Sequence, residues 1–197
     1  MKKWLIPVII IVVIVFAIYK TAVGFYNTSV NLEENAKTSW SNVESAYQRR
    51  ADLIPNLVST VKGYAAHEKE TLEGVIKARS AATQTTIDPT NITPQNMAAF
   101  QKAQDGLSGA LSRLLVTVEK YPDLKANQNF LELQSQLEGT ENRINVERNR
   151  FNTAVNGFNK HIKKFPNNIL NNFIGNFEEM VRFQAAAGSD VAPKVEF

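Results

Sequence analysis

The chain contains no cysteine and only two histidines in 197 residues. The missing cysteine excludes a disulfide framework, thiolate catalysis, Fe–S clusters and cysteine-type zinc sites. Seven prolines and nine glycines are too few for an all-β chain of this length, which needs many tight turns. A disordered composition is also absent, because 44% apolar against 21% charged residues suits a folded chain. Nor is there a basic domain. The formal charge is +3, but Lys2, Lys3 and Lys20 stand in a stretch with no acid. Residues 21–197 then hold 19 basic and 19 acidic side chains and are formally neutral. A phosphate-tracking basic stripe is unsupported, so no nucleic-acid partner is expected.

Catalytic motifs are missing in the same way. Di-metal carboxylate bundles use Glu-x-x-His, but Tyr64 and Phe158 stand three residues before His67 and His161. His67-Glu68 opens like a zinc-protease motif, yet position 71 is Thr71. Gly106-Leu107-Ser108-Gly109 is followed by Ala110, which breaks any likeness to a nucleophile elbow. His67, among Glu68, Lys69 and Glu70, reads as part of a solvated helix face, and His161, beside Lys160, Lys163 and Lys164, reads as exposed. The expectation is a protein that is not an enzyme and holds no cofactor or metal.

The sequence does hold one long apolar run. Trp4–Tyr19 has no charged residue and no Asn, Gln, Ser or Thr. Lys20 interrupts, and Thr21–Tyr26 is again mostly apolar. A lysine near a helix end can snorkel, so Trp4–Tyr26 is long enough to cross ~30 Å of hydrocarbon. Trp4 at one end and Tyr19, Phe25 and Tyr26 at the other suit the two aromatic belts. A cleaved signal peptide is the competing reading; its basic start fits, but no convincing small-x-small cleavage site follows Tyr19. Lys2 and Lys3 favour an N-in orientation with the rest of the chain outside the cytoplasm.

Helical periodicity dominates the remainder. Val30, Ala36, Trp40, Val43 and Tyr47 form one stripe over residues 28–50. Asp52 is a candidate N-cap with Pro55 in the first turn of a second helix, which carries Leu57, Val61, Tyr64, Leu72 and Val75 to about Ala82. Residues 83–93 read as a loop. Thr93 and Pro94 open a third helix, which ends at Tyr121-Pro122-Asp123. A fourth runs from about Asn127 to Phe165, with a seam of Phe151, Val155, Phe158, Ile162 and Phe165. The predicted fold is all-α: an anchor (1–26) continuing into a long antiparallel four-helix bundle (27–166), then a short amphipathic helix and tail (167–197). A first helix ending near Arg50 puts the 49–56 and 121–127 corners roughly 36 Å from the membrane at ~1.5 Å per residue. The 83–93 loop then falls at the proximal end.

Three groups of residues stand out. Arg49, Arg50, Asp52, Asp123 and Lys125 lie at the predicted distal corners, as a recognition tip or as capping and corner salt bridges. Asn142, Asn145, Asn149, Asn152, Asn156 and Asn159 repeat every three or four residues beside the apolar seam. They are either a solvated flank or a polar ladder at a helix–helix or subunit contact, where buried asparagines specify register. Ile169, Leu170, Phe173, Ile174 and Phe177 share a face beside the membrane, available for lipid or for protein packing. Leu57–Tyr64 (LVSTVKGY) echoes Leu114–Tyr121 (LLVTVEKY), a single match too short to establish a repeat.

The string Arg49-Arg50-Ala51-Asp52-Leu53-Ile54-Pro55-Asn56-Leu57-Val58, with Thr60-Val61-Lys62-Gly63-Tyr64 and His67-Glu68, resembles the signature of the LemA family. The likeness continues through Glu119–Ala126, Glu141–Ile144, Phe151-Asn152, Phe158-Asn159, Phe165-Pro166 and Ala192–Phe197. Phe151 and Phe158 depart from it, since the family often has tyrosine there. The resemblance implies a bacterial membrane protein, anchored by its N-terminus, with a helical domain outside the cytoplasm and no catalytic residues. The expected partners are the bilayer, further copies of the chain and a protein of the cell envelope.

Overall fold

One helix, α1, runs unbroken from Leu5 to Tyr64 in the computed structural model, which describes residues 4–184. The calls on Lys2, Lys3 and Ala192–Phe197 lie outside the described residues. The other elements are α2 (Lys69–Gln84), α3 (Pro94–Val118), α4 (Pro122–Lys125), α5 (Gln128–Lys163), α6 (Asn167–Leu170) and a π-helical turn, Asn171–Gly175. The described residues are all-helical, with no strand.

The expected corner at 49–56 is therefore absent, and its absence has a physical cause. Proline at position 55 leaves the Ala51 carbonyl without its i+4 donor. Arg79 of α2 supplies the substitute, its Nε donating to Ala51 O at 2.7 Å. The helix keeps its phase across the proline: Val43, Tyr47, Arg50, Ile54, Leu57 and Val61 are all buried at spacings of three and four. Asp52 is not a cap; its carboxylate accepts from Gln48 Nε2 at 2.7 Å along the same helix. The turn out of α1 comes at residues 65–68, roughly 60 Å beyond Phe25 at ~1.5 Å per residue.

A second correction follows from lengths. α2 has 16 residues and descends only ~24 Å. The 85–93 loop thus sits partway down the rod, with Ile87 and Ile92 packed in the cluster that holds Trp40, and not at the membrane end. Thr93 and Asn96 then form a reciprocal cap, Thr93 N to Asn96 Oδ1 at 2.8 Å and Asn96 N to Thr93 Oγ1 at 3.2 Å. Asn127 caps α5 by accepting from Phe130 N at 3.0 Å. The upper half of the rod is filled by one apolar cluster drawn from α1, α2, α3 and α5, including Ile54, Leu57, Val75, Leu107, Leu114 and Phe130.

Below the 85–93 loop, α1 and α5 would face solvent without another element. Residues 176–184, which carry no helix or strand, return along them. Phe183 packs against Trp40 and Phe151 with ring centroids 5.7 Å from each. The predicted amphipathic helix over 169–181 thus stops at Gly175. Asn176 adopts a left-handed backbone (φ 51), and the Asn171 side chain brackets Phe177, bonding both its N–H and its carbonyl at 3.0 Å.

Candidate functional site

The strongest polar constellation lies inside the rod. Arg50, expected at an exposed corner, is 1% exposed. Its Nη1 donates to Ser108 Oγ at 2.7 Å and to Glu141 Oε1 at 2.5 Å, while Nη2 donates to Gln104 Oε1 at 2.8 Å and Gln104 O at 3.2 Å. Gln104 passes the chain on, its Nε2 donating to Ala82 O at 3.1 Å. That carbonyl lies in the last turn of α2, where helix carbonyls lack intrahelical donors. One guanidinium fork therefore ties α1, α3 and α5 together and reaches α2 through Gln104. These bonds cross between helices far apart in the chain, so the arrangement holds the helices in register.

A second set of polar contacts is made by the asparagine series. Asn159 Oδ1 accepts from Met180 N at 2.9 Å and its Nδ2 donates to Met180 O at 2.8 Å. Asn152 treats Phe183 in the same way, at 2.9 and 3.1 Å. Each amide thus stands where a neighbouring strand's backbone would. The register is metric: seven helical residues advance ~10.5 Å, and three extended residues span about the same length. Asn145, Asn149 and Asn156 are exposed. Near this segment Arg148 lies 4.6 Å from the Phe183 ring centroid. Glu147, also buried, is bracketed by Arg143 Nε at 2.7 Å and Arg150 Nη1 at 3.0 Å from its own helix.

The end of the rod far from the apolar run is built from the 65–68 turn and α4. Tyr121 Oη donates to Glu68 Oε1 at 3.0 Å, and Asn127 Nδ2 donates to Tyr64 Oη at 2.9 Å. The Glu68 hydrogen bond pushes the Tyr121 phenol up. Asp123 and Lys125 are exposed there, with Lys125 paired to Glu119. Arg49 and Asp52 are exposed but sit about 20 Å lower on α1 at ~1.5 Å per residue. The predicted tip set is thus split: Asp123 and Lys125 stay at the end, Arg49 and Asp52 lie on the flank, and Arg50 is in the core.

At the opposite end, Phe25 is the first buried residue of α1. His161, read from sequence as exposed, is half-buried and stacks on Phe25 at 5.5 Å. Phe177 packs on Phe25, Tyr26 and Phe158. Phe165, expected to finish the α5 seam, is instead 73% exposed, because the chain leaves the helix at Lys164 (ψ 138). Leu170 is half-buried, whereas Ile169, Phe173 and Ile174 are exposed. N-terminal to these, Trp4–Tyr19 is exposed along its whole length, which excludes a buried core helix and leaves one candidate membrane helix. No group of three or more His, Asp or Glu residues placed to hold a metal occurs among the described residues.

Sequence reasoning missed Arg79, Gln104 and the 176–184 segment. A signal for Arg79 existed in the unbroken apolar phase across Pro55, which demands a substitute donor. No local pattern pointed to Gln104.

Comparison with known proteins finds relatives over most of the chain. Magnetosome protein MamQ 1 of Paramagnetospirillum magneticum is 28% identical over 201 residues, covering 92% of this chain and 73% of that protein. Magnetosome protein MamQ of Magnetospirillum gryphiswaldense is 26% identical over 182 residues, covering 84% of this chain and 66% of its own length. Protein LemA of Metamycoplasma hominis is 28% identical over 127 residues, covering 64% of this chain and 54% of that protein. None of these names denotes an enzyme. The LemA family pattern matches residues 39–197, which spans Arg50, its partners on α3 and α5, and the asparagine clamp; the chain belongs to the LemA family.

Proposed function

We propose that this protein is a non-enzymatic, membrane-anchored scaffold whose helical bundles associate side by side into a homo-oligomer at the bacterial cell membrane. The observation that carries the reading is the single helix Leu5–Tyr64, which passes from an exposed apolar run into the bundle core without a break. Such a helix fixes the bundle's standoff and direction relative to the bilayer. Self-association is supported by the flank between α1 and α5, a groove lined by Asn42, Ser45, Arg49, Gln136, Thr140 and Arg143. Residues 21–197 carry no net charge, so like copies approach without long-range repulsion. The positive-inside rule applied to Lys2 and Lys3 puts the bundle outside the cytoplasm.

Mass photometry with negative-stain imaging of the full chain in mild detergent tests this. A defined multi-copy particle is the expected result, and a monomer at all concentrations refutes the scaffold. The second reading, a monomeric module presenting its distal end to an envelope protein, is favoured by the exposed Asp123 and Lys125 beside the Tyr121–Glu68 and Asn127–Tyr64 pairs. Crosslinking from Lys125 checks it, and self-crosslinks alone count against it.

A further inference from the structure

We infer that the turn at residues 165–174 is a second membrane contact, an apolar foot that enters the lipid interface beside the anchor. Phe165 is 73% and Phe173 80% exposed, and Ile169 and Ile174 are each 44% exposed. Four large apolar side chains within ten residues are thus turned outward at the end of a chain segment that has a packed core available. Val23 and Tyr26 on α1 are exposed as well.

The position of this patch selects its occupant. α6 and the π-helical turn pack against α1. Gly175 lies so close to Phe25 that a Cβ there would stand 3.1 Å from the Phe25 ring. Two residues on, the Phe177 ring packs against Tyr26 with centroids 5.7 Å apart. The patch is therefore level with residues 22–26 of α1. The exposed residues below that level, Trp4 to Thr21, number 18 and rise ~27 Å, close to the ~30 Å hydrocarbon thickness. Residues 22–26 then fall in the headgroup layer, which adds ~5–8 Å on each side. Interfacial elements bury apolar side chains to a depth of ~5–10 Å, within reach of Phe165 and Phe173.

The polar groups of the turn fit the same layer. Asn171 and Asn167 are bonded inward, to Phe177 and His161, while Asn168 and Asn172 are exposed beside the apolar side chains, a mixture that suits a headgroup layer. Lys160 and Lys164 are exposed nearby, while Lys163 is paired with Glu179 at 2.6 Å. A neighbouring chain is the competing occupant. The bilayer is favoured because the patch is at the end of the rod through which α1 leaves, and its apolar surface continues that of the anchor. The inference rests on the anchoring reading above.

The cysteine-free sequence allows a direct test on the full chain in phosphatidylcholine–phosphatidylglycerol vesicles. Nitroxides are placed singly through Phe173→Cys, Ile169→Cys, Ile10→Cys and Val116→Cys, and collision with oxygen and with a nickel chelate is measured by EPR power saturation. The foot predicts an oxygen-to-nickel ratio at positions 173 and 169 severalfold above that at 116, and below that at 10. A ratio at both foot positions equal to that at 116 overturns it. So does exclusion of both reagents with dipolar broadening that disappears on dilution with unlabelled chain, which assigns the patch to a protein neighbour. If position 10 itself is nickel-accessible, the anchoring reading fails and the foot with it. Far-UV ellipticity matching the parent shows that a labelled chain is folded, and the use of two foot positions guards against local disruption at one.

Discussion

Arg50→Met is the perturbation that examines the interior node most sharply. The guanidinium makes four hydrogen bonds to three residues, and these partners differ in what they recover when it is removed. Glu141 has a side chain 42% exposed and regains water, so its share is discounted for screening. Ser108 is half-buried and can turn its hydroxyl to its own helix. Gln104 is 5% exposed, and its side-chain oxygen is left without a donor in the dry core. An orphaned buried acceptor costs about 1–3 kcal/mol, and the lost charge-assisted bonds raise the total to roughly 3 kcal/mol. Methionine keeps much of the volume, so cavity formation adds little. In a chain of this size roughly 3 kcal/mol corresponds to a fall of about 6–12 °C in Tm. Thermal and urea unfolding of the full chain in mild detergent, followed by ellipticity, measures it. Arg50→Lys recovers less than half, because one ammonium lacks the fork that spans three partners. A loss below about 1 kcal/mol for Arg50→Met, or full recovery with lysine, refutes the assignment of Arg50 as the tie between helices.

Arg79→Ala uncovers the Ala51 carbonyl and costs about 1–3 kcal/mol; adding Pro55→Ala returns the helical donor and restores most of the loss in the same unfolding assay. Asn152→Ala with Asn159→Ala removes four bonds to Met180 and Phe183, each worth about 1 kcal/mol. Hydrogen exchange at those two amides should then accelerate sharply while α3 amides stay protected; unchanged exchange would remove the clamp from the account. The same pair tests the subunit-contact reading of the asparagines, which requires a change in native mass. Burial pushes the Glu44 carboxyl up, outweighing the smaller lowering influence of the Trp40 and Ile87 N–H groups that face it. The folded state therefore holds the Glu44 proton more tightly than the unfolded state, and ionisation of this group weakens folding as pH rises through the carboxylate range. Glu44→Gln gains stability relative to the parent over that rise, with the difference flat above it; a difference constant from acid to neutral pH contradicts the burial argument.

Much of this architecture is written locally. The Thr93–Pro94 start, the Asn127 start and the seam Phe151, Val155, Phe158 and Ile162 depend on neighbouring residues and periodicity, and each stands where the sequence puts it. What the sequence conceals is compensation between distant residues. Pro55 reads as a helix start until Arg79, 28 positions beyond Ala51, supplies the absent donor. Arg50 reads as a solvated corner until Gln104, Ser108 and Glu141 converge on it. The asparagine repeat is visible in one dimension, but the backbone that Asn152 and Asn159 grip lies 31 and 21 residues away. The outward turn of Phe165 was hidden for a different reason, since its spacing continues a buried seam that the backbone has already left.

The unbroken α1 makes the protein a lever. With no flexible joint between residues 5 and 64, any tilt of the lower part is a tilt of the whole rod. Spanning helices lean on average about 20° from the bilayer normal, and over a ~60 Å arm that angle carries the far end sideways by about 20 Å. A thinner or thicker bilayer, which such a helix accommodates by changing its lean, would then be read out as lateral displacement of the 65–68 turn and α4. Under the proposed association, copies sharing one patch of membrane would lean by the same angle, each in its own direction, until contact between their flanks aligned them.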